Sequence, residues 1–222
     1  MQKRRILCLM LCLILVFTQG VSITAQDQND PQIKNIIYMI PDGGGMAPFF
    51  LADKIKQNGG FSKEVYPNLT EVETGDMYIK QYLVGAETTY SASHAVTDSA
   101  AGGTALAGGY KTNNGMIGIS NDFKPHATIL EACQMIGKST GLVATHSWPD
   151  ATPAAFSSHA QERTEYSNIG EQMVNQKIDL IIACASEGYN SKEWYSDEGL
   201  EKRGYKVVKT KVILIILSQV KK

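Results

Sequence analysis

The ten residues Val96-Thr97-Asp98-Ser99-Ala100-Ala101-Gly102-Gly103-Thr104-Ala105 constrain this chain more than any other stretch. Ala and Gly have so little bulk that whatever faces them comes close to the backbone. Two uses of such a run stand open. One is a helix packed tightly on a neighbour, with Asp98 as its N-cap. The other is a cradle for a large anion: a helix opening near Ser99 would aim unpaired N–H groups and a positive dipole end at it. A hydroxyl placed there, beside a carboxylate, is how a serine that attacks phosphate would be built.

Three further segments bear on that choice. Asn35-Ile36-Ile37-Tyr38-Met39-Ile40 has the length of a buried strand and runs into Pro41-Asp42-Gly43-Gly44-Gly45. Asp42 is read at the carboxyl edge of a sheet, where open α/β folds bind ligands, or as a simple turn residue. Gly141-Leu142-Val143-Ala144-Thr145-His146 reads as a second buried strand, followed by Asp150-Ala151-Thr152-Pro153. Asp150 and Thr152 offer a carboxylate and a hydroxyl to a hard cation such as Mg²⁺. Thr152 equally suits an N-cap ahead of Pro153. Arg163 is a surface charge or a planar, bidentate partner for phosphate.

Taken together, the strand with Pro41-Asp42-Gly43, the block from Thr97 to Thr104, the segment Asp150-Ala151-Thr152-Pro153-Ala154-Ala155, and Arg163 resemble the N-terminal half of an alkaline phosphatase, in order and spacing. The resemblance implies that Asp42 bridges Zn²⁺ and Mg²⁺, that Ser99 becomes phosphorylated in a covalent intermediate and that Asp150 and Thr152 bind Mg²⁺. It also implies that Arg163 holds the non-bridging phosphate oxygens, with Asp98 orienting it. The substrates implied are small phosphate monoesters, and a homodimer is implied for the complete fold. This agrees with elementary chemistry. A serine hydroxyl needs a base or a metal to become nucleophilic at neutral pH, and metals at Asp42 supply that activation and neutralise charge on the attacking and leaving oxygens.

The resemblance runs from about Ile33 to about Thr210. In the family a comparable length follows and carries most of the zinc ligands. Here the four histidines, His94, His126, His146 and His159, lie outside the family's zinc-binding contexts. The tail from Lys211, with Val212-Ile213-Leu214-Ile215-Ile216-Leu217, does not resemble the family and reads as the product of a frameshift or early stop. Ala183-Cys184-Ala185-Ser186-Glu187-Gly188 departs from the family's glycine cluster. The alternative to a metal-dependent phosphomonoesterase is thus a truncated, inactive fragment. A sulfatase-like hydrolase is disfavoured because Ser99 lacks the Cys/Ser-x-Pro-x-Arg context, and nothing positive supports a non-enzymatic binding module.

Met1-Gln2-Lys3-Arg4-Arg5 followed by the apolar run Ile6 to Phe17 and a small residue at Ala25 reads as a cleaved secretory signal peptide over 1–25. The run is shorter than the ~20 residues of a membrane span. The expected location is periplasmic or extracellular, with no stable membrane anchor. Residues 26–32 read as a polar leader, 33–210 as the family-like domain and 211–222 as the tail. Lys plus Arg number 21 against 22 for Asp plus Glu, so nothing suggests nucleic acid. Cleavage would leave Cys133 and Cys184, read as two buried free thiols, although an oxidising compartment permits pairing.

Strands are expected at 35–40, 80–86, 140–146, 178–183 and 205–208, and helices at 47–57, 99–108, 127–136, 153–161, 167–176 and 191–203. That alternation predicts an α/β class: a three-layer α/β/α sandwich with a mostly parallel sheet, incomplete here. An incomplete sheet is expected to leave an edge unpaired and, with Val212 to Leu217, to favour aggregation.

Overall fold

The computed structural model describes residues 33–60, 74–184, 196–209 and 213–218. The signal-peptide and leader readings, and the start of the helix expected at 191–203, lie outside the described residues. The chain divides into two units, Met1–Ile40 and Pro41–Lys222. In the first, residues 33–40 form no strand, and Ile36, Ile37 and Met39 are 68%, 87% and 83% exposed. The expected strand at 35–40 is therefore corrected. An apolar run favours burial, but a strand also needs a neighbour to pair with, and no described strand pairs with this one.

The second unit opens with a turn in which Gly44 N–H donates to Pro41 O at 2.8 Å, then helix α1, Met46–Gln57. Buried Asp53 ties α1 to the next segment. It accepts the Met77 N–H at 3.0 Å and the Lys80 ammonium at 2.9 Å. These two bonds, the backbone one first, hold its carboxyl below the usual carboxylate range. The same clasp winds Tyr78–Tyr82 into a 3₁₀ turn, so the strand expected at 80–86 does not form.

Helix α2, Ser99–Gly108, matches its expected bounds and is followed by α3, Ile129–Met135. α3 begins with a reciprocal capping box: Thr128 Oγ1 accepts the Glu131 N–H, and Glu131 Oε2 accepts the Thr128 N–H. Strand β1, Gly141–Val143, leads through Asp150 to a single helical turn, α4, Ala151–Ala154. The helix expected at 153–161 stops there. Residues beyond it are drawn elsewhere: Phe156 O accepts the Thr128 hydroxyl, and Ala160 forms an antiparallel bridge with Ile117. Helix α5, Tyr166–Asn175, lays Ile169, Met173 and Val174 into the core and delivers strand β2, Leu180–Cys184. Helix α6, Asp197–Lys202, is capped by Ser196, and strands β3, Tyr205–Lys209, and β4, Ile213–Ser218, complete the unit.

The described sheet has the order β1-β2-β4-β3. β1 and β2 are parallel, as a crossover through α4 and α5 requires. β4 runs antiparallel to both β2 and β3, so this four-stranded sheet is mixed. The fold is of the α/β class, with an open, incomplete sheet and helices packed on it. Its centre is Ile181 and Ile216, paired across β2 and β4 and 1% and 0% exposed. Tyr205 is also buried. Its hydroxyl donates to Val174 O at 3.1 Å, and burial, aided by the charge of Asp179, pushes its pKa up to about 12. The tail read as unlike the family includes β4, which lies between β2 and β3 in the described sheet.

Candidate active site

The site is organised by the start of α2. Asp98 caps the helix, its Oδ1 accepting the Ala101 N–H at 2.9 Å. Its Oδ2 accepts the Gly115 N–H at 3.0 Å and an Arg163 Nη1–H at 3.3 Å. One carboxylate therefore fixes the helix start, the loop at Gly115 and the guanidinium together. Its own N–H donates to Asn114 Oδ1 at 3.2 Å, and Asn114 in turn donates to Val96 O at 3.0 Å.

The small residues of α2 serve packing. Ala100, Ala101, Gly102, Gly103, Thr104 and Ala107 are all buried. A Cβ on Gly103 would lie 3.0 Å from Ala155 Cβ and 3.6 Å from Thr152 Cα. Only glycine lets α4 approach this closely, and that approach brings Thr152 to the Ser99 end of α2. The tight-packing reading of the small-residue run describes its buried face, while Ser99 stands at its partly exposed first turn.

Asp42, exposed in its turn, joins both helices. The Ser99 hydroxyl donates to Asp42 Oδ1 at 3.1 Å, and the Thr152 hydroxyl donates to Asp42 Oδ2 at 2.7 Å. Asp150, at the start of α4, accepts from Arg163 Nη2 at 3.3 Å. Arg163 thus sits between Asp98 and Asp150, each guanidinium arm on one carboxylate. Burial opposes its charge, but Asp150 and then Asp98 outweigh that and raise its pKa above the ordinary guanidinium value. Asp42, Asp98, Ser99, Asp150, Thr152 and Arg163 are in this way linked through two sets of contacts, one centred on Asp42 and one on Arg163.

The histidines divide. His94 Nδ1 contacts Ser93 Oγ at 2.7 Å, and His126 lies against the Tyr110 ring. His159 bridges Gly118 O and Glu131 Oε1, at 2.5 Å and 3.1 Å. His146 alone approaches the site, its Nδ1 3.4 Å from Asp150 Oδ2. Among the described residues no group of three or more His, Cys, Asp or Glu side chains could hold a metal ion. Cys133 and Cys184 are free and half-buried. The supporting role of Asn114 and Gly115 was not legible in sequence, where Asn113-Asn114-Gly115 reads only as a turn. Nothing local marks that turn as the anchor of the Asp98 carboxylate, 17 residues before Gly115.

Comparison with known proteins places these residues in a wider frame. The alkaline phosphatase family model matches residues 33–205. Alkaline phosphatase 3 of Bacillus subtilis is 36% identical over 188 residues, which cover 81% of this chain and 38% of that protein. Alkaline phosphatase of Escherichia coli K12 is 30% identical over 207 residues, 81% of this chain and 42% of that one. Among solved structures, a cold-active alkaline phosphatase from a psychrophilic Shewanella superposes with a TM-score of 0.64 at 32% identity, covering 77% of this chain and 40% of its own. The chain spans about two fifths of the length of these relatives. Over the part it does span, it belongs to the alkaline phosphatase family.

Proposed function

We propose that the chain carries the nucleophile and anion clamp of an exported, metal-dependent phosphate monoester hydrolase that works through a phosphoserine at Ser99. The observation that carries this reading is the shared use of Asp42, whose two oxygens take the hydroxyls of Ser99 and Thr152. In the proposed reaction Ser99 Oγ attacks phosphorus, its proton passing to Asp42 Oδ1. The phosphorus–oxygen bond to the alcohol breaks, and the leaving alkoxide takes a proton from water. The hydroxide left behind attacks the phosphoserine, and as the phosphorus–Oγ bond breaks Ser99 takes its proton back from Asp42 and phosphate is released. Arg163 binds two non-bridging oxygens in its planar fork, and Asp98 keeps that fork aimed.

The donor set suits one of the two implied metals. Asp42, Asp150 and Thr152 offer only oxygen, which fits Mg²⁺ with water filling the remaining positions. When bound, Mg²⁺ would supply positive charge to offset that of the phosphoryl oxygens. A catalytic zinc normally takes three protein ligands, commonly including histidine, and three of the four imidazoles here are committed elsewhere. The residues present do not fit a zinc pair. Export rests on the basic and apolar start of the sequence, and no described helix is long and apolar enough to cross a membrane.

The test is a chimera that appends the C-terminal portion of the Bacillus relative to residues 33–205. Acid-trapped phosphate label is expected at Ser99 and absent in Ser99→Ala. Arg163→Ala should weaken inorganic phosphate binding by about 10- to 100-fold, the worth of one charged hydrogen-bonded contact. Undiminished labelling of the Ser99→Ala protein would overturn the assignment.

A further inference from the structure

β4 lies beyond the family match, which ends at Tyr205, the first residue of β3. Yet β4 is the most fully paired strand in the sheet. Five of its residues pair with β2, from Ile213↔Cys184 to Leu217↔Leu180, and five with β3, from Leu214↔Lys209 to Ser218↔Tyr205. Its Ile216 is completely buried. We propose that Ile213–Ser218 is a self-complementing strand: it closes the β2 edge from within the chain, keeps that edge from pairing with a second copy and props the Asp150 arm of the site.

The physical case starts with β2. Its sequence Leu180-Ile181-Ile182-Ala183-Cys184 is apolar throughout and carries no charge that would deter another strand. Left open on the side away from β1, such an edge invites pairing between copies. The β3–β4 hairpin exchanges it for the outer edge of β3, where Lys206 and Lys209 are exposed and Lys209 pairs with Asp197 of α6 at 2.5 Å. Lysines on an edge strand oppose further addition. The opposite margin, β1, is only three residues long, and very short edges pair poorly.

The link to the site is through backbone. Ile213 pairs with Cys184, whose N–H donates to His146 O at 2.9 Å, and Ala144 N–H donates to Ile182 O at 2.8 Å. These bonds hold the stretch that leads to Asp150. Support lost from β2 is therefore felt first at Asp150 and Arg163.

Hydrogen exchange on the full chain tests the strand directly. Amides of Ile213–Ser218 should exchange at least about a hundredfold more slowly than in a free peptide, on a par with those of β2. Exchange at the free-peptide rate would overturn the proposal. A chain ending at Thr210 should self-associate in light scattering and melt at lower temperature, and a peptide of residues 211–222 added in trans should reverse both effects. A shortened chain that self-associated no more than the full chain, with unchanged melting, would overturn it equally. If that chain proves insoluble, exchange in the full-length protein decides alone.

Discussion

The chain as written, purified and given a chromogenic phosphate monoester with Zn²⁺ and Mg²⁺, is expected to turn over no faster than its Ser99→Ala variant. The proposed nucleophile, Ser99, lacks an activating partner among the described residues. Ser99 donates to a carboxylate, which orients a hydroxyl well but is a weak base toward an alcohol. No imidazole contacts Ser99: His94, His126 and His159 contact Ser93, Tyr110 and the Gly118–Glu131 pair, and His146 reaches Asp150. Arg163 also meets an incoming phosphate with both arms already on carboxylates. The residues present fit Mg²⁺ but not a zinc pair, and metal charge at both the attacking and the leaving oxygen is worth several kcal/mol in such reactions. At about 1.4 kcal/mol per tenfold, its loss costs about a thousandfold or more in rate. Turnover that depends on metal, disappears with chelator and vanishes in Ser99→Ala would show that this half of the fold builds a working centre unaided.

Different parts of this picture were legible in the sequence to different degrees, for reasons that follow from the range of the interactions involved. The bounds of α2 could be read because its determinants are local: Asp98 three residues before the amide it caps, then small residues without a break. The grouping of Asp42, Ser99, Thr152 and Arg163 was legible through family resemblance, not through any local rule. Asp42 meets Thr152 across 110 residues. The strand expected at 35–40 depended on a pairing partner, which composition does not specify. The 80–86 strand lost to an ion pair between Lys80 and Asp53, 27 residues apart. The tail was read as an aggregation-prone apolar run. It was not among the expected strands, and its slot between β2 and β3 was not legible, because the register of β4 is set by strands on either side of it.

Gly118→Ala is expected to cost the folded chain about 2–5 kcal/mol, by the sum of two separable effects. Gly118 has φ +58°, a left-handed conformation that costs a residue with a Cβ ~1–2 kcal/mol. An added Cβ would also sit 2.1 Å from Ser158 O and 2.8 Å from His159 Nδ1. The first of these is backbone and cannot swing aside, so the loop must move, at a further ~1–3 kcal/mol. Movement would strain what the loop holds: the Gly118 N–H bond to Thr104 on α2, at 2.9 Å, and the Gly118 O contact with His159. Three residues earlier, Gly115 donates to Asp98, so the disturbance should reach the N-cap of the Ser99 helix. Against a total stability of about 5–15 kcal/mol for a domain, a loss of this size should lower the melting temperature sharply. Gly109→Ala is the control. Its φ is +74°, but nothing lies within 4 Å of its would-be Cβ, so only the conformational cost of ~1–2 kcal/mol applies. Equal melting temperatures for the two variants would overturn the steric part of this prediction.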